Sequence, residues 1–271
     1  MSIGVVTALL LGILQGIFEW LPISSEGNLT VILSWLGSSP QAAVNLALFL
    51  HFGTAISSTL YYRQRIRALL ETAVKWRPGA AFSSTHAPVT FLALATLVSG
   101  LVGIAAYALL EELISVLTGG AVIVVIGLLL ILTGLFQRLS GESDFTGRRD
   151  PTVLDALLVG AAQGVAILPG ISRSGSTTGV LLLRGYDEEL SFEFSFLLSI
   201  PAAIGGGLLA VMDTGLGSVT PLEGIVALAA AAIVGYLSIH TLLRIVRRVS
   251  FVGVCVGLGT LAVVGGIAVA V

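Results

Sequence analysis

The chain of 271 residues holds only 13 Lys and Arg against 15 Asp and Glu, so 10% is charged, 56% is hydrophobic and the net charge is −2. Ordinary soluble domains are about 25% charged, and a mean hydropathy of +1.04 leaves too little polar surface to face water, which excludes a soluble enzyme and predicts an integral membrane protein. No basic patch for nucleic acid appears, and the single cysteine, Cys255, excludes an internal disulfide and reads as packing.

In chain order, the first apolar segment, 3–36, is interrupted by Leu21-Pro22-Ile23-Ser24-Ser25-Glu26-Gly27-Asn28 and cannot be one plain transmembrane helix. It has no basic n-region and no small-residue cleavage site, so no removed signal peptide is expected. Gln15 and Glu19 are four apart and share a helix face, beside a Gly12/Gly16 stripe that reads as tight helix packing. Glu19 is flanked by Phe18 and Trp20. An unpaired carboxylate at mid-membrane costs roughly 2.5–3.5 kcal/mol, so Glu19 is expected to have a partner or a function.

Three spans follow at 43–62, 88–110 and 119–138, with His51 inside the first. The second interrupted segment, 152–185, repeats the first about 148 residues later: Gly160-Ala161-Ala162-Gln163-Gly164 answers Gly12-Ile13-Leu14-Gln15-Gly16, and Leu168-Pro169-Gly170-Ile171-Ser172-Arg173-Ser174-Gly175 answers the first Leu-Pro turn. Spans at 190–212, 221–243 and 250–271 complete the chain. Each span can cross a hydrocarbon core of about 30 Å. The alternating strands of a porin-like barrel are absent.

The cations orient these elements. Arg63, Arg65, Arg67, Lys75 and Arg77 fall in one loop, Arg138, Arg148 and Arg149 in a second, and Arg244, Arg247 and Arg248 in a third. The connections 111–118 and 213–220 carry only Glu111, Glu112 and Asp213. The positive-inside rule then makes the basic face cytoplasmic and leaves both termini outside. Three spans per half invert the second half relative to the first. The expected fold is therefore a single all-α integral membrane domain, 1–271, with internal repeats 1–150 and 151–271. It has six transmembrane helices plus two re-entrant helix-loop-helix pairs in an inverted-topology repeat, their turns meeting near mid-membrane, where irregular backbone survives only when it lines a cavity.

The second turn carries an arginine among five hydroxyls, Ser172, Ser174, Ser176, Thr177 and Thr178. A guanidinium fork, hydroxyls and a Gly-rich turn entering a helix are donors for phosphate oxygens. The competing reading makes Arg173 a structural partner of Glu19 or Glu26, and the two can coexist because an arriving anion would separate such a pair. His51 reads as hydrogen-bonded structure or as a proton relay; His86 and His240 are not site candidates.

The P-G-x-S-R-S-G-x-T segment, with the Q-x-x-x-E helix ahead of L-P-x-S-S-x-G, resembles the undecaprenyl-diphosphatase family, the BacA-type lipid pyrophosphatases. The likeness covers essentially the whole chain, including Glu193-Phe194-Ser195-Phe196-Leu197-Leu198 and Pro201. It implies removal of the terminal phosphate from a polyprenyl diphosphate, which recycles a lipid carrier for envelope glycan synthesis, assisted by Mg²⁺ or Ca²⁺. By position it implies functional roles for Gln15, Glu19 and Ser25 and a phosphate-binding segment of Ser172, Arg173, Ser174 and Thr177; Glu26 stands where many relatives have a small Ser or Thr. The residues present then suggest a catalytic set of Glu19, Ser25, Glu26 and Arg173, phosphate contacts also from Ser24 and Asn28, and a cation held by Gln15, Glu19 and Glu26. The family normally has histidine where this chain has Asn28. Asparagine exchanges no proton near neutral pH, so that work passes to Glu26 or His51, or the protein hydrolyses poorly, or it only moves the lipid. The rival reading is a polyprenyl-phosphate flippase or another anion carrier. The expected setting is the plasma membrane with the pocket open to the outer face, a polyprenyl diphosphate as partner, and glycine-rich faces that serve either internal packing or a homodimer.

Overall fold

A computed structural model describes residues 3–141, 147–213, 219–246 and 249–270. The helices are α1 (Val5–Phe18), α2 (Ser25–Trp35), α3 (Pro40–Tyr61), α4 (Arg63–Val74), α5 (Ala87–Val116), α6 (Gly119–Gly141), α7 (Val153–Val165), α8 (Arg173–Leu183), α9 (Glu188–Asp213), α10 (Pro221–Val246) and α11 (Val252–Ala270). Six of them, α3, α5, α6, α9, α10 and α11, are long and apolar enough to cross a membrane. Each interrupted segment is a pair of short helices, α1 with α2 and α7 with α8. Local chemistry sets the breaks. Ser24 and Ser172 cap the two second helices, accepting hydrogen bonds from Gly27 N and Gly175 N, which satisfies donors that a helix start leaves unpaired.

Two expectations change. The basic loop after the first span contains α4, which presents Arg63, Arg65 and Arg67 beside exposed Leu70 and Val74. The connection drawn at 111–118 is mostly helix, because α5 continues to Val116 and carries Glu111 and Glu112 on its last turns. Arg247 and Arg248 lie outside the described residues. The other cations gather at one end of the bundle, where Arg65 pairs with Glu193 at 2.7 Å and Tyr61 meets His240 at 3.3 Å.

The two halves clasp each other. α1 packs along α10, whereas α7 packs along α5; α3 crosses α9 and α6 lies along α11. The glycine stripes make this contact close. A Cβ on Gly12 would strike the Ala227 carbonyl, and one on Gly160 would lie 2.7 Å from the Ala95 carbonyl oxygen. Small residues let helix backbones approach where lipid supplies no hydrophobic drive between helices. Two buried cores flank this arrangement. One contains Ala8, Leu11, Leu33, Leu46 and Leu50, and the other contains Ala156, Val159, Leu181, Phe194 and Leu198, each 148 residues later in the same order.

Outside the six long helices, Asp155 anchors the start of α7. Its carboxylate accepts hydrogen bonds from Thr152 N at 2.8 Å and Thr152 Oγ1 at 2.6 Å, from Arg148 at 2.8 Å, and from Arg184 and Tyr186 at 2.7 Å each. Burial pushes this carboxyl upward, but the donors from Thr152, Arg184 and Tyr186 outweigh it and hold the pKa at about 2. Burial, together with the hydrogen bond to Asp155 and the charge of that carboxylate, pushes the Tyr186 phenol up against the opposing pull of Arg148 and Arg184.

Gly160→Leu should overpack the α5–α7 contact and cost roughly 1–3 kcal/mol or more, read as a lower Tm in detergent. Gly253→Leu, where an added Cβ meets nothing within 4 Å, should leave Tm unchanged. Asp155→Asn should cost roughly 1.5–3 kcal/mol at neutral pH by removing the charge-assisted hydrogen bonds from Arg148 and Arg184, both partly exposed. Because the folded pKa is depressed from 3.8 to about 2, this stabilisation is complete above the unfolded value and vanishes as pH falls through the folded one. The Tm gap between wild type and Asp155→Asn should therefore close between those two pH values.

Candidate functional site

The breaks in the two helix pairs meet. Ser24 sits at φ 58°, a left-handed conformation that costs a non-glycine residue of order 1–3 kcal/mol. Its hydroxyl repays this by accepting both Gly27 N at 3.3 Å and Gly170 N at 3.1 Å, so one oxygen ties the first turn to the second. Gly170 itself has φ 103°. Its carbonyl accepts from Thr133 Oγ1 at 2.9 Å, and that same hydroxyl oxygen accepts Ser172 N at 3.2 Å, fixing the second turn to α6. Gln137 of α6 donates to Pro22 O at 2.5 Å and fixes the first.

Glu19 stands at the end of α1, buried to 6% exposure. One carboxylate oxygen pairs with Arg173 Nη2. The other accepts Gln15 Nε2 and Ser25 Oγ at 2.9 Å each, and His51 Nε2 lies 3.2 Å away. Arg173 also donates to Ser195 O at 3.1 Å and covers the Phe196 ring at 5.7 Å. His51 Nδ1 lies 2.9 Å from Ala47 O, so Nδ1 carries a proton. Trp20 locks the following turn by donating to Gly235 O at 3.1 Å.

A cavity of about 350 Å³ opens at this cluster. Glu19, Ser24, Ser25, Glu26 and His51 line it from the first repeat, and Ser172, Arg173 and Ser174 from the second. Ser25 and Arg173 are the first residues of α2 and α8, so two helix N-termini with their positive dipole ends bear on one space. That is an anion site by construction.

Three assigned residues stand behind the wall. Asn28 Nδ2 donates to Ile23 O at 2.6 Å and Ser24 O at 2.9 Å, bracing the strained turn. Thr177 Oγ1 engages Ser195 Oγ at 2.6 Å and Arg173 O at 2.8 Å. Neither residue is among those that line the cavity, and Asn28 Nδ2 and Thr177 Oγ1 serve the frame that holds Ser24 and Arg173. Gln15 likewise holds Glu19, with its Oε1 buried and without a partner. Glu26 Oε1 is also unpartnered. No group of three His, Cys, Asp or Glu poised for a metal occurs among the described residues; the oxygen set is two carboxylates and an amide. Sequence reasoning missed Ser195 and Phe196 as the seat of Arg173, although both lie in the noted E-F-S-F-L-L block. It also missed Gln163, which lines the cavity and donates to Ser99 Oγ at 3.1 Å. Its equivalence to Gln15 in the repeat was the available signal.

The family described as Bacitracin resistance protein BacA matches residues 8–261. The chain is 44% identical over 267 residues to a protein of Haloarcula marismortui named undecaprenyl-diphosphatase, covering 98% of both chains. Proteins of the same name from Methanococcoides burtonii and Methanopyrus kandleri are 37% and 38% identical, with 94% of this chain covered in each case and 96% and 94% of the relatives.

Ser24→Ala removes the shared acceptor and keeps the unfavourable φ, so it should cost roughly 1–2 kcal/mol. Ser24→Gly loses the same acceptor but relieves the backbone and should cost less. Thermal denaturation of both variants in detergent checks the order.

Proposed function

The chain belongs to the BacA family, and from that premise we propose that it is an undecaprenyl-diphosphatase-type hydrolase, converting a polyprenyl diphosphate to the monophosphate and inorganic phosphate. The observation that carries this reading is the Glu19–Arg173 pair with Ser25 on the same carboxylate, set where two helix N-termini face one cavity. Nucleophile, base and orienting group stand within hydrogen-bond reach of one another, the arrangement that activates a hydroxyl.

The diphosphate enters against Arg173, Ser172 and Ser174. Arg173 moves from Glu19 to the terminal phosphoryl oxygens, where its fork neutralises charge that grows in the transition state. This frees a Glu19 oxygen as the Ser25 proton is taken up. Ser25 Oγ forms a bond to the terminal phosphorus, the bond from phosphorus to the bridging oxygen breaks, and the lipid monophosphate leaves. Water then splits the phosphoseryl group, releasing inorganic phosphate and returning the hydroxyl. His51 keeps Glu19 aimed and serves as the proton relay in place of the histidine that Asn28 replaces. The unpartnered Oε1 of Glu26 suits a hard divalent cation. Glu26 and Glu19, which line the cavity, would hold Mg²⁺ or Ca²⁺, which would supply positive charge against the diphosphate, while Gln15 steadies Glu19 from behind.

The gathering of basic residues at one end supports a plasma-membrane orientation with that end cytoplasmic. Both termini and the cavity mouth then face outward, and α1–α2 and α7–α8 enter as re-entrant pairs from opposite sides.

Purified protein should release phosphate from polyprenyl diphosphates. Arg173→Ala should lower kcat by about 10²–10³, and Ser25→Ala should abolish formation of an acid-stable phosphoserine. Full phosphate release by Arg173→Ala overturns the cradle; full activity of Ser25→Ala transfers the attack to water.

A further inference from the structure

A second cavity, of about 400 Å³, backs onto the first from the basic end of the bundle. Its mouth lies at Gly141, Glu188 and Ser250, where α6 ends, α9 begins and α10 gives way to α11. This is the end at which Arg65 meets Glu193. From the mouth the space runs along α8, past Leu182 and Thr178, to Ser174. Ser174 lines both cavities, and the consecutive residues Leu21 and Pro22 line one each. The septum is thus one residue thick. Across it Ser174 Oγ donates to Leu21 O at a long 3.4 Å, a weak closure on the same turn that presents Arg173.

The repeat shows that this second space is not forced by the fold. Gly160 seats on Ala95 of α5 as Gly12 seats on Ala227 of α10. In that register Ile114 and Leu117 correspond to Val246 and Val249, and the repeat makes Val31 the counterpart of Gly179. In the first half Val31, Ile114 and Leu117 close up with Val122 and Ala262 in a packed core. In the second half Gly179, Val246 and Val249 line a cavity. Gln137, Ser140 and Thr178 give its inner wall polar groups, and Thr178 Oγ1 is buried without a partner, as suits a passage that holds water. Glu188 is the one charged residue on the wall among the described residues. No cation there would retain an anion, so the space suits passage and not storage.

Hydrolysis of a lipid diphosphate makes two products that need opposite surroundings. The lipid monophosphate remains in hydrocarbon. Inorganic phosphate needs water, because an unpaired charge is costly in an apolar space, and Ile104, Leu208 and Met212 on the first cavity's wall offer it no donor. We propose that the second cavity is the exit for inorganic phosphate, which leaves the Arg173 cradle past Ser174 toward the basic end. This rests on the hydrolase reading of the first cavity. The contact between Ser174 and Leu21 parts to let the anion through, while Gln137 keeps its hold on Pro22 O.

The test uses the full-length protein in proteoliposomes of one orientation, with Lys75→Cys marking the basic end. Ser140→Cys and Thr178→Cys should react with a membrane-impermeant methanethiosulfonate from that side and not from the other. The wild type, whose one thiol is the fully buried Cys255, should stay unlabelled. With a polyprenyl diphosphate as substrate, a fluorescent phosphate sensor placed in either compartment should find phosphate at the basic end. Leu182→Trp and Val249→Trp fill the passage without touching the cradle, and Val249 is 52% exposed, so the larger side chain is tolerated. Both should slow phosphate delivery and steady-state turnover about tenfold, as a hindered product release does. Loss of the diphosphate in a single turnover should keep its wild-type rate. Leu183→Trp, on an exposed position off the cavity, should change neither. Cysteines closed to the reagent, tryptophan variants with wild-type turnover, or phosphate that emerges only opposite the basic end would each overturn the exit and leave the hydrolase standing. Phosphate in neither compartment would defeat the hydrolase reading and the exit with it.

Discussion

The buried Glu19 carboxylate and the largely covered Arg173 guanidinium stabilise each other as partners. Removing one of a buried pair costs roughly 3–5 kcal/mol because the other is left uncompensated. Glu19 closes one helix and Arg173 opens another 154 positions later, so the pair forces two distant breaks in the chain to the same place. The rest of the centre serves that meeting. Ser24 ties the turns with one hydroxyl, α6 pins both through Thr133 and Gln137, and Ser195 with Phe196 seats the arginine. The pair is also the reactive element, since an incoming phosphate competes with Glu19 for the same fork.

Around this centre the two repeats supply equal scaffolding and unequal chemistry. Five residues of one core correspond to five of the other, and their caps, Ser24 and Ser172, occupy equivalent positions. The residue following each cap differs: Ser25 in one copy and Arg173 in the other. One half therefore brings a hydroxyl beside a carboxylate, and the other brings the cation. Divergence within a shared frame converts a symmetric scaffold into a directional site.

Much of this was legible in the sequence because it rests on composition and period. The low charge, the six apolar runs and the two Leu-Pro interruptions required no tertiary knowledge, and a lone glutamate and arginine in apolar surroundings announced themselves by cost. The glycine stripes read correctly as packing, although which helix each would meet was not deducible. α4 was hidden because its run of arginines looks like a solvated loop, and the extension of α5 because Glu111 and Glu112 look like a boundary. Asn28 and Thr177, read as phosphate contacts, turn Asn28 Nδ2 and Thr177 Oγ1 to the protein's own frame. A polar side chain near a phosphate motif can bind the ligand or bind the backbone that presents it, and only the fold shows which acceptor lies within reach. His51 was visible as an oddity, but its contact with Glu19 depends on how α3 lies against the first turn.

The crossed packing of the halves bears on how the protein is made. The seat of Gly12 and Gly16 is α10, and Glu223 at the start of that helix also accepts Gly4 N at 2.7 Å. A ribosome delivers α1 long before α10, so α1 has only α2 and α3 beside it until its most extensive neighbour arrives. Contacts so remote in the chain slow assembly. The nascent amino-terminal hairpin must be sheltered by the insertion machinery or by lipid until the closing helices arrive, which makes truncation near the carboxyl end as damaging to the first turn as a lesion within it.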